Sequence, residues 1–285
     1  MSVRRELLRG LERLNATTFV LQRSRLEEPN TGIWDAADVQ WWWRRPRVTD
    51  DLALPVWFDE VGPVAAVGIS AWDNTWQTDA FVASSVVPLE EVWNETITAL
   101  NQFPIHPCRL ILPERNDQLM ELALKSGFKL TDEMSGTTWL NIDERPEVRY
   151  IDGFTVKDRT ARSQLVHPMV ARNGEFVESR LQECSLYDPT LDLVIEDDDG
   201  NVAGYALFWF DKTTLVGILE PMRVEESFQR RGLASILITT GLDRLARKGA
   251  RRVKVGFESE AAASLYLGIG FVQTSVDRLL KRSPD

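Results

Sequence analysis

The hydrophobic pattern divides the chain into two stretches in which the predicted elements follow the same order. Each stretch reads as a strand, a helical segment, three strands, a helix, a strand, a helix and two closing strands. The predicted groups of three strands are 52–59, 64–72 and 76–87 in the first stretch and 191–196, 202–210 and 213–224 in the second. A charged segment at 143–153, which contains Pro146 and Gly153, is predicted to be the linker.

The first stretch opens on a β-branched and apolar run at 18–22, which is predicted to be a strand. A helix is expected over 34–45, with Asp35 as its cap and three adjacent tryptophans at 41–43 near its end. Three adjacent residues of a helix cannot share one face, so at least one is expected to be exposed or covered by another part of the chain. Packing between subunits or domains and a place in an acceptor pocket are both open interpretations.

The two stretches also share a short sequence phrase. The Gly-Phe pair at 127–128 returns at 270–271, and a helical pattern precedes it in both places. The offset of 143 residues aligns Gly232 of the second stretch with Leu89 of the first. An internal repeat of this length predicts two tandem domains, which we place at 1–148 and 149–285, and the order of elements indicates the mixed α/β class.

A long helix is predicted from Gln229 to about Lys248. Seven residues fall on one apolar face at helical spacing: Leu233, Ala234, Leu237, Ile238, Gly241, Leu242 and Leu245. A glycine in the middle of a helix costs about 1 kcal/mol relative to alanine. We therefore expect this helix to pack closely on a sheet at Gly241.

The junction before the long helix has the features of an anion-binding turn. The strand that ends at Val224 is followed by the sequence QRRGLA at 229–234. The free N–H groups of a first helical turn and the positive end of the helix dipole favour a phosphate or pyrophosphate. Gly232 lets the ligand approach the main chain, and the two arginines add charge. The junction is neither a dinucleotide fingerprint nor a nucleotide P-loop, because it has no G-x-G-x-x-G and no G-K-[ST].

Composition narrows the class of protein. With 44% hydrophobic and 27% charged residues, the chain has the composition of a soluble globular protein. No apolar run approaches the ~18 to 20 residues of a membrane helix, and residues 1–15 lack the apolar core of a secretory signal. Cys108 and Cys184 cannot form a disulfide framework and are expected to be buried thiols. These features favour a cytoplasmic protein without a membrane partner.

The net charge of −10 argues against nucleic acid as a partner, because the phosphate backbone would be repelled. Residues 1–150 carry a net charge of −8 and residues 151–285 a net charge of −2. The stretch with the anion-binding turn is therefore the less acidic one, as suits an anionic cofactor and a cationic acceptor such as an amine. No metal is expected, because His106 and His167 lack partners at ligand spacing and the acidic run at 197–199 reads as a turn.

The turn and the sequence after it resemble the GNAT superfamily of acyl-CoA-dependent N-acyltransferases. The QRRGLA sequence resembles the family's Q/R-x-x-G-x-G/A signature. Residues 259–271 resemble the later N-x-x-A-x-x-x-Y-x-x-x-G-F element, with Ser259 in the place of the usual asparagine. The resemblance covers about 130 residues, and the first stretch looks like a degenerate copy. It implies two tandem GNAT-like domains, each with a mixed, mainly antiparallel central sheet flanked by helices, and no pyrophosphate loop in the first.

By this resemblance, acetyl-CoA lies in a V between the strand that ends at Val224 and the strand 252–257. Pro221 suits a point where strands separate, because proline donates no ladder hydrogen bond. The backbone after it can then pair with the pantetheine arm and polarise the thioester carbonyl. The implied cofactor-binding residues are Met222, Arg223, Val224, Gln229, Arg230, Arg231, Gly232, Leu233, Ala234, Ser235, Ser259 and Ala262.

Two residues are candidates for the chemistry. The resemblance implies that Tyr266 protonates the departing thiolate, and a phenol is a suitable donor for that step. Glu220 lies beside the predicted strand separation, where burial would raise the pKa of a carboxyl enough for it to accept a proton. The family's acid often lies two residues earlier, where this chain has Ile218. Pairing of Glu220 with Arg223 is the structural alternative.

The sequence thus predicts an N-acetyltransferase that moves an acetyl group from acetyl-CoA to a primary amine of a small molecule or peptide. The second domain would carry the reaction, and the first would close or shape the acceptor side. The alternative is an acyl-CoA-binding regulatory or sensor module without turnover. A monomer and a homodimer are equally compatible with the sequence.

Overall fold

The computed structural model describes residues 3–30, 32–103 and 106–283. The chain forms two compact units. The first consists of the residues up to Ser135 together with those from Ser275 onwards, and the second consists of Gly136–Thr274.

The first unit begins with a strand and two helices, continues with three strands, and then alternates between helices and strands. Its elements are β1 (Arg4–Leu8), α1 (Gly10–Glu27), α2 (Ala36–Trp42), β2 (Leu54–Phe58), β3 (Pro63–Trp72), β4 (Thr75–Val82), α3 (Leu89–Leu100), β5 (Cys108–Pro113) and α4 (Asp117–Lys125). The strand β6 (Lys129–Asn141) follows and reaches past the last residue of this segment, Ser135.

The second unit repeats this order with shorter early helices. Its elements are β7 (Phe154–Asp158), α5 (Val170–Asn173), α6 (Val177–Gln182), β8 (Asp192–Asp197), β9 (Val202–Asp211), β10 (Val216–Val224), α7 (Leu233–Lys248), β11 (Arg252–Phe257) and α8 (Glu260–Ile269). The last strand, β12 (Val272–Arg282), begins in this unit, and its residues from Ser275 onwards belong to the first.

The strand orders of the two units are equivalent. The first unit has the order β1-β2-β3-β4-β5-β12, and the second has β7-β8-β9-β10-β11-β6. Among the described residues, neighbouring strands in these two orders run antiparallel except β4 with β5 and β10 with β11. The predicted class, with a mixed and mainly antiparallel sheet in each of two tandem domains, is confirmed.

The sixth strand of each unit comes from the other half of the sequence. Residues 277–282 of β12 pair with β5 in the first unit, and residues 136–141 of β6 pair with β11 in the second. The compact units therefore differ from a division of the chain at 148/149, which stays a prediction about the domains. This exchange was not predicted from the sequence.

Two secondary-structure predictions were wrong, one at the start of the first stretch and one at the end of both stretches. The run 18–22 lies inside α1. Its β-branched residues and Leu21 form part of a buried helical face together with Leu14, which precedes the run. The closing segments predicted as two strands in each stretch are single strands, β6 and β12. Gly136 does not form a turn in β6; it lies flat against Phe257, whose ring would collide with a Cβ at this position.

The helix α7 packs closely on the sheet of the second unit, as its glycine predicts. A Cβ on Gly241 would lie 2.1 Å from the ring of Phe208 on β9, so only glycine permits this approach. Leu237, Leu242 and Leu245 complete the contact and are fully buried. This packing fixes α7, and therefore its N-terminus, relative to β9 and β10.

The three adjacent tryptophans pack inside the first unit. The side chains of Trp41 and Trp43 are buried, whereas Trp42 is half-buried and meets the rings of Trp34 and Trp72 edge to face, at centroid distances of 4.9 and 6.2 Å. The expectation that the three cannot face one way is confirmed.

A buried carboxyl group gives the first unit a distinctive pH dependence. Asp79 on β4 accepts hydrogen bonds from Trp34 Nε1 at 2.8 Å and Gln77 Nε2 at 3.1 Å, and burial raises its pKa from 3.8 to about 8. Above pH 3.8 the folded state therefore keeps a proton that the unfolded state releases. The contribution of Asp79 to the free energy of unfolding is fully present below pH 3.8 and is lost as the pH rises through 8.

Asp79→Asn is accordingly expected to raise the unfolding temperature of the protein at pH 9 and to have little effect near pH 4, in thermal denaturation followed by circular dichroism. Asp59→Asn is the control of opposite sign, because hydrogen bonds from Arg23 lower the pKa of Asp59 to about 2. It should destabilise the protein at pH 9. Equal changes in the unfolding temperature of Asp79→Asn at pH 4 and pH 9 would contradict the raised pKa of Asp79.

Within the part of the chain that the structure describes, none of the helices has both the length and the apolar character needed to cross a membrane.

Candidate functional site

Two neighbouring parallel strands of the second unit separate partway along their length. β10 pairs with β11 from Val216 to Ile218, and the last paired residue of β11 is Lys254. Beyond this point β10 pairs only with β9, and β11 pairs only with β6. Each strand then has backbone N–H and C=O groups directed into the gap. The fork is a slot whose two walls present hydrogen-bonding main chain.

A β-bulge in β10 marks the start of the fork. The register with β9 is regular up to Leu219 and resumes at Met222, and Glu220 and Pro221 form the irregular step between them. The indole Nε1 of Trp209, a fully buried residue of β9, donates to the carbonyl oxygen of Glu220 at 2.7 Å. This bond holds the bulge in place, in agreement with the position expected for Pro221 at a strand separation.

The turn between β10 and α7 differs from the prediction at the start of the helix. The helix was predicted from Gln229, but α7 begins at Leu233 after a short 3₁₀ turn at Glu226–Phe228. Arg230 and Gly232 have left-handed φ angles of +60° and +80°, which a right-handed helix excludes. The QRRG sequence therefore forms a loop that ends in a glycine cap.

The first turn of α7 presents unpaired main-chain donors. The first helical hydrogen bond joins the N–H of Ile236 to the carbonyl of Gly232 at 3.3 Å. The N–H groups of Gly232, Leu233, Ala234 and Ser235 have no acceptor among the described residues. Together with the helix dipole, they form a cradle that suits the two phosphates of a pyrophosphate.

Side chains of the loop shape the cradle. The amide Nε2 of Gln229 donates to the carbonyl of Val224 at 3.2 Å and closes the loop. The guanidinium of Arg231 lies over the ring of Phe154 at 4.6 Å, so a positive charge is held beside the turn by a cation–π contact. The hydroxyl of Ser235 makes no hydrogen bond within the described part of the chain and is available to a ligand.

The two candidate catalytic side chains lie close enough to interact electrostatically. Tyr266 of α8 is buried, with its ring edge to face against Phe271 at 6.0 Å. Burial raises the pKa of its phenol, and the negative charge of Glu220 raises it further. Tyr266 therefore remains protonated over the whole working range of pH, as a proton donor requires.

Arg223, the arginine considered as a partner for Glu220, forms an ion pair with a different carboxylate. Among the described residues, Arg223 pairs with Glu225, whose carboxylate oxygens both lie 3.3 Å from Arg223 Nε. The carboxylate of Glu225 also accepts hydrogen bonds from both terminal nitrogens of Arg172, each at 3.1 Å. Burial alone would raise the pKa of Glu225, but these two arginines outweigh it and lower that pKa. This three-residue pairing, which joins α5 to the end of β10, was missed in the sequence because no motif links its members.

The predicted contacts on α8 begin with the helix cap. Ser259 is the N-cap of α8, and its hydroxyl oxygen accepts from the N–H of Ala262 at 3.3 Å. The hydroxyl therefore stabilises the helix, and Ser259 is exposed. Ala262 packs against the core of the second unit. Ile218, at the usual position of the family's acid, is 3% exposed and forms the last pair before the fork.

The equivalent turn of the first unit has a different chemistry. The N-cap of α3 is Pro88, with φ −61°, and no residue at 86–91 has a left-handed φ. Alignment of the helix starts pairs Pro88 with Gly232, one residue before the predicted Leu89. Glu90 and Glu91 lie in the first turn, and Glu91 accepts from Trp57 Nε1 at 2.9 Å. The first turn of α3 thus carries two carboxylates, whereas the first turn of α7 carries none.

Other reactive side chains do not extend the site. Both cysteines are buried free thiols, as expected, and burial raises the pKa of Cys184 to about 12. Within residues 3–30, 32–103 and 106–283, no group of three or more His, Cys, Asp or Glu side chains is arranged to hold a metal ion.

Solved structures share this fold over the whole chain. A tandem GNAT protein from the clavulanic acid biosynthesis pathway is 12% identical with a TM-score of 0.71, over 100% of this chain and 99% of that one. A GCN5-related N-acetyltransferase from Sphaerobacter thermophilus is 15% identical with a TM-score of 0.61, over 98% and 95%. Saccharomyces cerevisiae N-myristoyltransferase with bound myristoyl-CoA is 11% identical with a TM-score of 0.57, over 99% and 79%. The architecture is that of a tandem GNAT protein.

Part of the second unit matches a protein-family model. Residues 164–271 match the model of the acetyltransferase (GNAT) family, and this range contains the fork, the cradle and α8. This part of the chain is therefore similar in sequence to the acetyltransferase (GNAT) family. No curated protein is significantly similar to the sequence.

Proposed function

We propose that the second unit transfers an acetyl group from acetyl-CoA to a primary amine of a small molecule or peptide, by direct attack in a ternary complex. The observation that carries this proposal is the fork between β10 and β11, which opens next to the unpaired N–H groups of α7. The slot suits the pantetheine arm, and the cradle suits the pyrophosphate. The co-substrate would supply an activated carbonyl and a thiolate leaving group.

The main chain of Met222, Arg223 and Val224 would orient the acyl group. These residues follow the bulge, and β11 no longer covers their outer side. An N–H group aimed at the thioester oxygen stabilises the negative charge that develops there during attack. The bond from Trp209 fixes the bulge before the substrate arrives, so little reorganisation is needed.

Glu220 is proposed to accept the proton that the amine loses as its nitrogen bonds to the acyl carbon. The C–S bond then breaks, and Tyr266 donates its phenolic proton to the departing sulfur. The phenolate regains a proton from water, and Glu220 releases the one it accepted.

The electrostatic coupling of the two side chains orders these proton transfers. The charge of Glu220 raises the pKa of Tyr266, so Tyr266 is a weak acid while Glu220 is ionised. Once Glu220 has accepted the proton of the amine, that charge is neutralised and the pKa of Tyr266 falls. The thiolate is thus protonated after the amine has attacked.

A thiol-release screen with acetyl-CoA tests the proposal against primary amines, aminoglycosides and peptides. Amine-dependent release of CoA is the expected result. Binding of acetyl-CoA by calorimetry without release for any acceptor would support the regulatory or sensor module instead. Parallel assays with longer acyl-CoA donors test the acetyl group itself, since the fold also occurs in a protein solved with myristoyl-CoA.

Tyr266→Phe is expected to lower kcat about 10- to 100-fold with little change in the KM for acetyl-CoA. Loss of a general acid typically costs a factor of this order or larger, whereas the ring still packs on Phe271 and preserves the fold. Steady-state kinetics with the best acceptor of the screen measures both constants. Tyr150→Phe, which removes a hydroxyl from a residue 85% exposed, is the matched control. Equal kcat for the two variants would remove Tyr266 from the reaction.

A further inference from the structure

A buried network of polar side chains lies on the face of the second unit's sheet opposite α7. Asp192 Oδ2 lies 2.8 Å from His167 Nε2 and accepts from the Tyr187 hydroxyl at 2.9 Å. The N–H of Met169 donates to His167 Nδ1 at 3.2 Å, which assigns the ring proton to Nε2. The His167 and Asp192 side chains are 0% and 1% exposed.

The faces of the strands show that this network is on the other side from the cradle helix. Phe208 of β9 touches α7 at Gly241, so the next residue, Trp209, points to the opposite face. Asp192 of β8 is paired with Leu207, which shares the face of Trp209 because it is two residues away. The proposed reaction does not use any of the three polar side chains directly.

The network nevertheless ends at the fork. The ring of Tyr187 lies edge to face with the ring of Trp209, with centroids 6.3 Å apart. Trp209 Nε1 in turn donates to the carbonyl of Glu220. A chain of contacts therefore connects His167 to the peptide group that carries the proposed base. It consists of two hydrogen bonds to Asp192, one ring contact and one further hydrogen bond.

Burial of the Asp192 carboxylate costs free energy, and this cost calls for a physical explanation. Burial raises the pKa of Tyr187, and the charge of Asp192 raises it further, so the phenol keeps its proton and remains a donor. A polar network whose donors and acceptors are matched rigidifies the side chains it contains. Here it fixes the ring of Tyr187 and, through it, the orientation of the indole of Trp209.

We propose that His167, Asp192 and Tyr187 are positioning residues for acyl transfer. They hold Trp209, which holds the peptide group of Glu220, and so align the carboxyl of Glu220 with the acyl carbonyl in the fork. A displacement of about 1 Å at a reacting centre can cost about 100-fold in rate. The inference rests on the proposed function of Glu220.

Asp192→Ala tests the proposal against a matched variant on the same strand. Glu196, four residues further along β8, is also a buried carboxylate, and it pairs with Lys157 at 2.7 Å and Arg162 at 2.5 Å. Asp192→Ala should lower kcat at least tenfold, with less than a twofold change in the KM for acetyl-CoA. Asp192→Asn, which can still accept both hydrogen bonds, should restore most of the rate. Glu196→Ala should lose stability but not kcat.

A second readout does not depend on turnover. The indole ¹⁵N–¹H signal of Trp209, identified by its loss in Trp209→Phe, reports the bond to Glu220. Asp192→Ala and Tyr187→Phe should shift this signal and speed its exchange with water, whereas Glu196→Ala should leave it unchanged. An unchanged signal in Asp192→Ala, or equal losses of kcat in Asp192→Ala and Glu196→Ala, overturns the positioning role. Failure of the wild-type protein to acylate any amine overturns the proposed function alone, because the signal still tests whether the network holds Trp209.

Discussion

Gly232→Val is expected to weaken the binding of acetyl-CoA about 100-fold or more while the protein stays folded. Gly232 has a φ of +80°, and a β-branched side chain disfavours this region strongly. The loop would leave the conformation that aims its N–H groups at one point, and the added methyl groups would fill the approach to the main chain. Loss of two charge-assisted hydrogen bonds, each worth about 1.5 to 3 kcal/mol, accounts for the size of the effect.

The glycine at the other end of α7 provides the control for Gly232→Val. Gly249 caps the helix with a φ of +95°, and a Cβ there would meet no atom within 4 Å. Gly249→Val introduces comparable backbone strain, so thermal unfolding should show similar destabilisation of both variants. Calorimetry should show lost affinity for acetyl-CoA only in Gly232→Val. Wild-type affinity in that variant would place the phosphates elsewhere.

The sequence predicted the position of this turn but not its conformation. Glycine after two arginines indicated an anion cradle, and six of the seven residues predicted for the apolar face of α7 are buried. The helix start was misplaced because the left-handed φ of Arg230 has no compositional signal, unlike that of Gly232. In the same way, Pro221 indicated a strand separation, whereas the fork itself depends on where two strands cease to pair, which is a property of the folded sheet.

The polar network behind the fork could not be predicted from spacing at all. His167 and Asp192 are 25 residues apart, and their contact depends on the loop before α5 folding over β8. In the sequence, His167 has no partner at ligand spacing, so no metal site was expected there and this contact was not predicted. Trp209 likewise looked like one apolar residue of a strand, although its indole N–H holds the bulge. Motifs carry information about contacts with a ligand, whereas such supporting contacts follow from tertiary packing.

Glu220→Gln is expected to lower kcat about 100- to 1,000-fold, because a general base typically contributes a factor of this order. Glutamine has nearly the same size as glutamate, and the substitution leaves the backbone carbonyl that accepts from Trp209 in place. The fork should therefore bind acetyl-CoA with unchanged affinity. The variant also removes the charge that raises the pKa of Tyr266, which should make Tyr266 a better acid. The remaining rate should therefore be limited by deprotonation of the amine and should increase with pH as more free amine is present.

Rate–pH profiles of the wild-type protein and Glu220→Gln, measured with one acceptor, test this explanation. Glu258→Gln, which removes the same charge from an exposed residue of the same unit, is the control and should retain the wild-type profile. An unchanged kcat in Glu220→Gln would transfer the role of base to water or to another acid. Removal of an interaction that is made only during attack lowers kcat without changing the binding of the donor. A loss of acetyl-CoA affinity equal to the loss in rate would therefore show that Glu220 supports the slot instead.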